Sequence, residues 1–107
     1  MEGSHAIKTG KLVSLSEQQL VDCSTQNSGC QGGLMDYAFA YTKTNPLETE
    51  AEYPYVAYDG TCTYKRAEGV VSSKSYKDVA PNNAAQLKAA VNVEPVSVAI
   101  EADQTVF

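Results

Sequence analysis

The residues best suited to chemistry in this chain are Cys23, Cys30 and Cys62, together with His5, its single histidine. A cysteine becomes a strong nucleophile when a neighbouring base supplies the thiolate, and His5 is the only imidazole that could do so. The same residues could in principle bind zinc. Their spacing, however, contains no close pair of cysteines of the kind typical of structural zinc sites.

The odd number of cysteines leaves two interpretations open. One bridge could close within the chain and leave one thiol unpaired, as in a protein from an oxidising compartment. Alternatively, all three cysteines are buried free thiols in a cytosolic protein. Spacing alone does not decide between them.

Composition indicates one ordinary globular unit. The chain has 107 residues, of which 43% are hydrophobic and 20% charged, so two complete domains are not expected. A net charge of −5 argues against binding to nucleic acid or to an anionic membrane surface. No apolar run approaches the roughly 20 residues that span a bilayer, and the first residues lack the pattern of a signal peptide. A targeting segment, if the protein has one, is expected upstream of Met1.

Two helices are predicted in the first half. Ser16 is a good N-cap for a short helix that ends near Cys23, and Gln19 occupies the position that completes a capping box. A second helix is predicted over residues 34–44, where apolar residues recur at helical spacing, and Asn45-Pro46 should end it.

The remaining elements are shorter. Residues 24–33 contain three glycines and predict a loop with at least one positive φ angle. Residues 70–77 favour an extended strand by residue type, and residues 96–100 predict a buried strand. Between these strands, Asn83 can cap a short helix over residues 84–91.

Four segments closely resemble the papain family of cysteine endopeptidases, and within it the cathepsin L-like branch. They are residues 14–23 (SLSEQQLVDC), 29–35 (GCQGGLM), 53–55 (YPY) and 95–100 (PVSVAI). The resemblance covers essentially the whole chain in the right order. The first two segments together are highly specific, whereas either alone would be moderate.

The resemblance implies an α+β fold with two lobes and a cleft between them. Residues 1–68 match the latter part of the helical lobe, and residues 69–107 match the opening strands of the β-barrel lobe. Both would be incomplete parts of one peptidase domain. The chain is therefore identified as an internal piece of such an enzyme.

None of the family's catalytic residues is expected here. Its nucleophile lies in a Cys-Gly-Ser-Cys-Trp-like run, and this chain has neither such a run nor any tryptophan. The resemblance places the nucleophile upstream of Met1, and the family's His and Asn lie about 130–150 residues beyond it. His5 matches a non-catalytic position, so we expect no peptide hydrolysis by these 107 residues alone.

Gly32 and Gly33 match the family's backbone contact with substrate. An extended peptide exposes N–H and C=O groups, and residues without side chains let another backbone approach them. In the family the second glycine pairs in antiparallel fashion with the substrate residue two before the cut, and Gly33 is its match. Gln31, which precedes the pair, departs from the asparagine often found there. Outside the family context, the two glycines could simply permit a turn.

Leu34, Met35 and Ala99 match positions that line the pocket for the same substrate residue. Leucine and methionine give an apolar, adaptable wall, and alanine leaves room for a bulky side chain. The resemblance therefore implies a preference for a bulky hydrophobic residue two before the cut. Without the resemblance, Leu34 and Met35 could equally well be ordinary core residues on the apolar face of a helix.

The resemblance also implies the cysteine pairing. Cys23 is expected to bridge to Cys62, while the family partner of Cys30 lies upstream of the chain and would leave this thiol unpaired. No cofactor and no metal are implied. Expected partners of the intact enzyme are extended peptide or protein substrates and cystatin-like or pro-segment inhibitors.

Three functional interpretations remain. The first is a piece of an active lysosomal, vacuolar or secreted endopeptidase. The second is an inactive homologue that acts as a peptide-binding or inhibitory module. The third is a disulfide-stabilised structural domain unrelated to proteolysis. One free thiol after denaturation would favour the peptidase piece, and three would favour a cytosolic globule.

Overall fold

Four helices and two short 3₁₀ turns make up the regular structure. The computed structural model describes residues 1–107. The helices are α1 (Glu2–Thr9), α2 (Glu17–Cys23), α3 (Met35–Thr44) and α4 (Ala84–Val91), and the 3₁₀ turns are Gly29–Gln31 and Arg66–Glu68. No helix combines the length and the apolar composition that crossing a membrane requires.

The predicted helices form, and two of them carry the predicted caps. The Ser16 hydroxyl accepts a hydrogen bond from the Gln19 N–H at the start of α2. In the same way, Asn83 Oδ1 accepts from the Gln86 N–H at the start of α4. Both caps satisfy backbone donors that have no partner inside the helix.

The second half of the predicted capping box is wrong. The Gln19 side chain does not return to the Ser16 N–H, which instead donates to the Glu48 carbonyl. Gln19 Oε1 accepts from the Glu48 N–H, and its Nε2 donates to the Tyr41 hydroxyl and the Pro46 carbonyl. The fully buried amide thus ties α2 to α3 and to the turn after it.

The two predicted strands do not form as strands. Pairing is limited to two isolated antiparallel bridges, Leu15–Thr49 and Leu47–Val71. A strand needs a neighbouring strand to satisfy its N–H and C=O groups, and none lies beside residues 96–100. Val98 and Ile100 in that segment are 58% and 69% exposed, so it is not buried either.

Residues 70–77 pack along α3 rather than in a sheet. The Ser73 hydroxyl donates to the Phe39 carbonyl, and the Ser73 N–H donates to the Thr42 carbonyl. The Tyr76 ring stacks on Phe39 with a centroid separation of 6.4 Å. The only β-bridge in this segment joins Val71 to Leu47. The division of the chain into lobes at residue 68 stays a prediction.

The buried core is small and mostly polar. Nine residues are buried, all between Leu15 and Tyr53, and six of them are polar or charged. Since burying a polar group without a partner is costly, such a core depends on hydrogen bonds rather than on apolar packing alone. Those bonds converge on α2, and α2 in turn packs against the 3₁₀ turn that precedes the two glycines.

Candidate functional site: a glycine-lined groove

The loop between α2 and α3 has a conformation that requires glycine at two positions. Gly29 has a φ angle of 54° and Gly32 one of 103°, both in the left-handed region that other residues avoid. The Ser28 N–H donates to the Gly32 carbonyl at 2.9 Å and closes the loop on itself. The positive φ angles expected of this loop are therefore present.

Asn27 fixes the end of the loop to the start of α3. Its Oδ1 accepts from the Leu34 N–H at 2.8 Å, and its Nδ2 donates to the hydroxyl of buried Ser24 at 2.8 Å. Gly33 packs directly against this side chain, because a Cβ at Gly33 would lie 2.0 Å from Asn27 Oδ1. Asn27 was not among the candidate site residues. Its only sequence signal is an asparagine in a glycine-rich turn, which is common.

Gly33 presents an unpaired stretch of backbone. Neither its N–H nor its C=O takes part in any hydrogen bond within the chain, and the residue is exposed. It lines a groove of about 200 Å³ together with Gly32 and Leu34. The other residues that line the groove are Leu20 and Val21 of α2, Ala38 of α3, and Asn27 and Gly29.

The predicted site residues are only partly brought together. Gly32, Gly33 and Leu34 share the groove, and Gln31 is exposed immediately before them. Met35, the first residue of α3, does not line the groove and is 43% exposed. Ala99 lies exposed in the unpaired segment 96–100 and does not line it either. Their membership of one pocket stays a prediction.

A disulfide joins α2 to the loop that follows the tyrosines. Cys23 and Cys62 are bonded with a Cα–Cα distance of 5.0 Å across 39 residues of sequence, which is the pairing that the resemblance implies. On the chain-entropy account, a bridge closing such a loop stabilises the fold by roughly 4 kcal/mol.

Cys30 remains a free, exposed thiol. Desolvation raises its pKa, and the nearby charge of Asp59 raises it further, so the thiol stays protonated at neutral pH.

The His5 imidazole makes no hydrogen bond to any cysteine. No three side chains of His, Cys, Asp or Glu converge as a metal site would require.

Asp22 organises the segment that carries Cys62. Its carboxylate accepts from the Tyr53 hydroxyl, the Gly60 N–H and the Gln18 amide, each at 2.8 Å. Burial raises the pKa of Asp22, but these three donors outweigh burial and hold the pKa below the usual value. A second cavity, of about 340 Å³, lies beside Asp22 and is lined in part by Gln18 and Asp22. The polar side-chain atoms of these two residues are already hydrogen-bonded to the main chain of residues 56–60.

Comparison with known proteins decides the family. The profile described as "Papain family cysteine protease" matches residues 1–107, the whole chain. This chain belongs to the papain family of cysteine proteases. "Cysteine proteinase 5" of Dictyostelium discoideum is 52% identical over 107 residues, covering 99% of this chain and 31% of that protein. "Procathepsin L" of Rattus norvegicus is 49% identical over 105 residues, covering 95% of this chain and 31% of that protein.

The papain-like fold is shown by solved structures as well. The proform of the ragweed pollen allergen Amb a 11 cysteine protease superposes with a TM-score of 0.82 at 44% identity. That match covers 87% of this chain and 29% of the allergen chain. The papain-family chain spans about a third of the length of the curated relatives that it matches.

Proposed function

We propose that the full-length protein containing this chain is a cysteine endopeptidase, and that these residues form part of its substrate-binding wall. The observation that carries the proposal is Gly33, whose N–H and C=O are exposed beside a groove and unbonded within the chain. An extended peptide could pair with both groups, since its own backbone offers the matching acceptor and donor. Family membership supplies the reaction class.

The proposed mechanism is acyl transfer through a thiolate. A cysteine thiolate paired with an imidazolium attacks the peptide carbonyl, the amine leaves, and water hydrolyses the resulting acyl-enzyme. The 107 residues contain no Cys-Gly-Ser-Cys-Trp-like run, so the nucleophile is assigned to another part of the full-length protein. By themselves these residues would hold peptide and leave it uncut.

The proposed specificity is for a bulky hydrophobic residue two before the cut. Leu34 supports this, because its half-exposed side chain forms part of the groove next to Gly33. Met35 and Ala99 are proposed to complete the pocket, and Gln31 to contact substrate at the mouth of the groove. No cofactor is part of the proposal.

The proposed partners are extended peptide or protein substrates and inhibitors that occupy the same groove. A pro-segment is supported by the allergen proform and by the procathepsin L relative, and cystatin-like inhibitors are a further proposal. A lysosomal, vacuolar or secreted location is consistent with the Cys23–Cys62 disulfide, because such bonds persist in oxidising compartments.

The test uses the full-length protein and peptide reporters. We expect cleavage of a reporter with Phe or Leu two residues before the cut, at least tenfold faster in kcat/KM than one with Gly there, and loss of turnover after thiol alkylation. Reporter binding without turnover would instead identify an inactive peptide-binding homologue. Absence of both binding and turnover would overturn the proposal altogether.

A further inference from the structure

Asp59 reaches across from the tyrosine-rich segment to the base of the glycine loop. Its Oδ1 accepts a hydrogen bond from the Cys30 N–H at 2.8 Å. It also lies close to Gly29, where an added Cβ would stand 1.8 Å from the same oxygen. The absence of a side chain at Gly29 is therefore what allows the carboxylate to approach the Cys30 amide.

The residues on either side of Asp59 are fixed to α2. The Tyr58 carbonyl accepts from Gln18 Nε2 at 2.8 Å, and the Gly60 N–H donates to Asp22 Oδ1 at 2.8 Å. Three residues after Asp59, Cys62 is covalently bonded to Cys23 at the end of α2. The main chain on both sides of Asp59 is therefore held by α2, which fixes the position of its carboxylate.

The same helix lines part of the groove. Leu20 and Val21 line it together with Gly32 and Gly33, whereas Gln18 and Asp22 hold the turn around Asp59. The hydrogen bond from the Leu34 N–H to Asn27, which we call the Asn27 clamp, fixes the C-terminal end of the glycine loop. The hydrogen bond from the Cys30 N–H to Asp59 fixes its N-terminal end. The exposed backbone of Gly33 lies between these two anchors.

We infer that Asp59 is a positioning residue for peptide binding, holding the near end of the glycine loop so that Gly33 meets the substrate backbone in register. This inference rests on the proposed function. The resemblance did not mark Asp59, which occupies an exposed loop and is not itself among the residues that line the groove.

A series of Asp59 variants in the full-length protein tests the inference. We expect Asp59→Ala to raise KM for peptide reporters roughly tenfold, the usual effect of losing a hydrogen bond to a charged group, with kcat within twofold. Asp59→Asn should restore KM to within about threefold, because an amide oxygen still accepts from the Cys30 N–H. Glu52→Ala is the matched control, since this exposed carboxylate lies on the same segment and makes no side-chain hydrogen bond within the chain.

A second measurement separates positioning from general stability. Hydrogen exchange of the bonded amides of residues 30–32 should accelerate in Asp59→Ala and stay unchanged in the Glu52 control, whether or not the protein cleaves peptide. Faster exchange without any wild-type turnover would therefore defeat the proposed function and leave the positioning role supported. If Asp59→Ala does not fold, Asp59→Glu provides the test. This variant keeps the negative charge but moves the carboxylate oxygen away from the Cys30 N–H, so we expect it to raise KM. Unchanged KM and unchanged exchange, or a fall in kcat alone, would overturn the inference.

Discussion

Two adjacent glycines at the groove are required for different physical reasons. Gly32 has a φ angle of 103° and open space where a Cβ would stand, so its backbone conformation demands glycine. Gly33 has no positive φ angle, but a Cβ there would overlap the Asn27 side chain. The sequence shows glycine at both positions without distinguishing the two reasons. The structure shows that another residue would strain the backbone at Gly32 and would overlap a neighbouring side chain at Gly33.

Gly33→Ala should weaken both the loop and peptide binding. The new methyl would stand 2.0 Å from Asn27 Oδ1 and 2.8 Å from Asn27 Cβ, so the loop or the Asn27 clamp must move. We expect a loss of about 1–3 kcal/mol in the free energy of unfolding, as for other overpacked sites, and a higher KM for peptide reporters. Urea unfolding and reporter kinetics of the full-length protein measure the two effects.

The control for this prediction is a double-mutant cycle with Asn27→Ala. Asn27→Ala should reduce the cost of Gly33→Ala, since the overlap with Oδ1 and Cγ disappears and only the 2.8 Å contact with Cβ remains, and it should leave the cost of Gly32→Ala unchanged. If both alanine substitutions respond equally to Asn27→Ala, the steric account of Gly33 is wrong.

At the level of elements, the local signals predicted the helices well. Ser16 and Asn83 cap α2 and α4 as expected, because a cap depends on residues only three positions apart. The Gln19 side chain does not complete the predicted capping box. It bonds instead to Tyr41, Pro46 and Glu48, which lie 22 to 29 residues away and which a local pattern cannot indicate. Residues 96–100 read as a strand by composition, yet composition does not supply the neighbour that pairing requires.

The same difference between local and distant partners limited the site prediction. Gly32, Gly33 and Leu34 are consecutive, and they do line one groove. Asp59 was missed because its contact with Cys30 spans 29 residues and an exposed aspartate in a loop gives no signal of its own. The sequence therefore indicated the groove but not the two side chains that hold its ends.

Ser16→Ala should cost more stability than Asn83→Ala, although both residues are N-caps. The Ser16 hydroxyl is buried and also donates to the Tyr53 carbonyl at 2.6 Å, so its loss leaves a buried acceptor without this partner. We expect a loss of about 2–3 kcal/mol for Ser16→Ala, against about 1 kcal/mol for the exposed cap Asn83. Chemical unfolding of both variants gives the comparison, and equal losses would show that the bond to Tyr53 contributes nothing.

At the scale of the whole molecule, two pairs of carboxyl groups face each other. Glu17 at the start of α2 lies next to Glu50, with Glu2 nearby. Glu48, only 1% exposed, lies near Glu68, Lys65 and Tyr41. The hydrogen bond with Glu50 raises the pKa of Glu17, and burial followed by the neighbouring Glu68 raises that of Glu48. In each pair, protonation of one carboxyl group would relieve the repulsion between the two.

The raised pKa values of Glu17 and Glu48 predict a fold that is more stable at mildly acidic than at neutral pH. A carboxyl whose pKa is raised on folding contributes stability while it is protonated, and that contribution is lost as the pH rises through the folded-state pKa, above the ordinary 4.5. Glu50 acts in the opposite direction: the Tyr55 N–H lowers its pKa, so its contribution is lost only as the pH falls below 4.5 through the folded-state value. Stability should therefore decline between mildly acidic and neutral pH.

Glu17→Gln should flatten this decline. A glutamine amide at this position would donate to Glu50, whose Oε2 is buried with no hydrogen-bond partner, so the contact would no longer need a proton. We expect the thermal unfolding midpoint of the wild type to fall between pH 5 and pH 7.5, and that of Glu17→Gln to fall by clearly less. Glu52→Gln is the control and should follow the wild type, because it removes an exposed carboxylate close to Glu50 in sequence that makes no side-chain hydrogen bond within the chain. A variant curve parallel to the wild type across that range would mean that the Glu17–Glu50 pair is not the source of the decline.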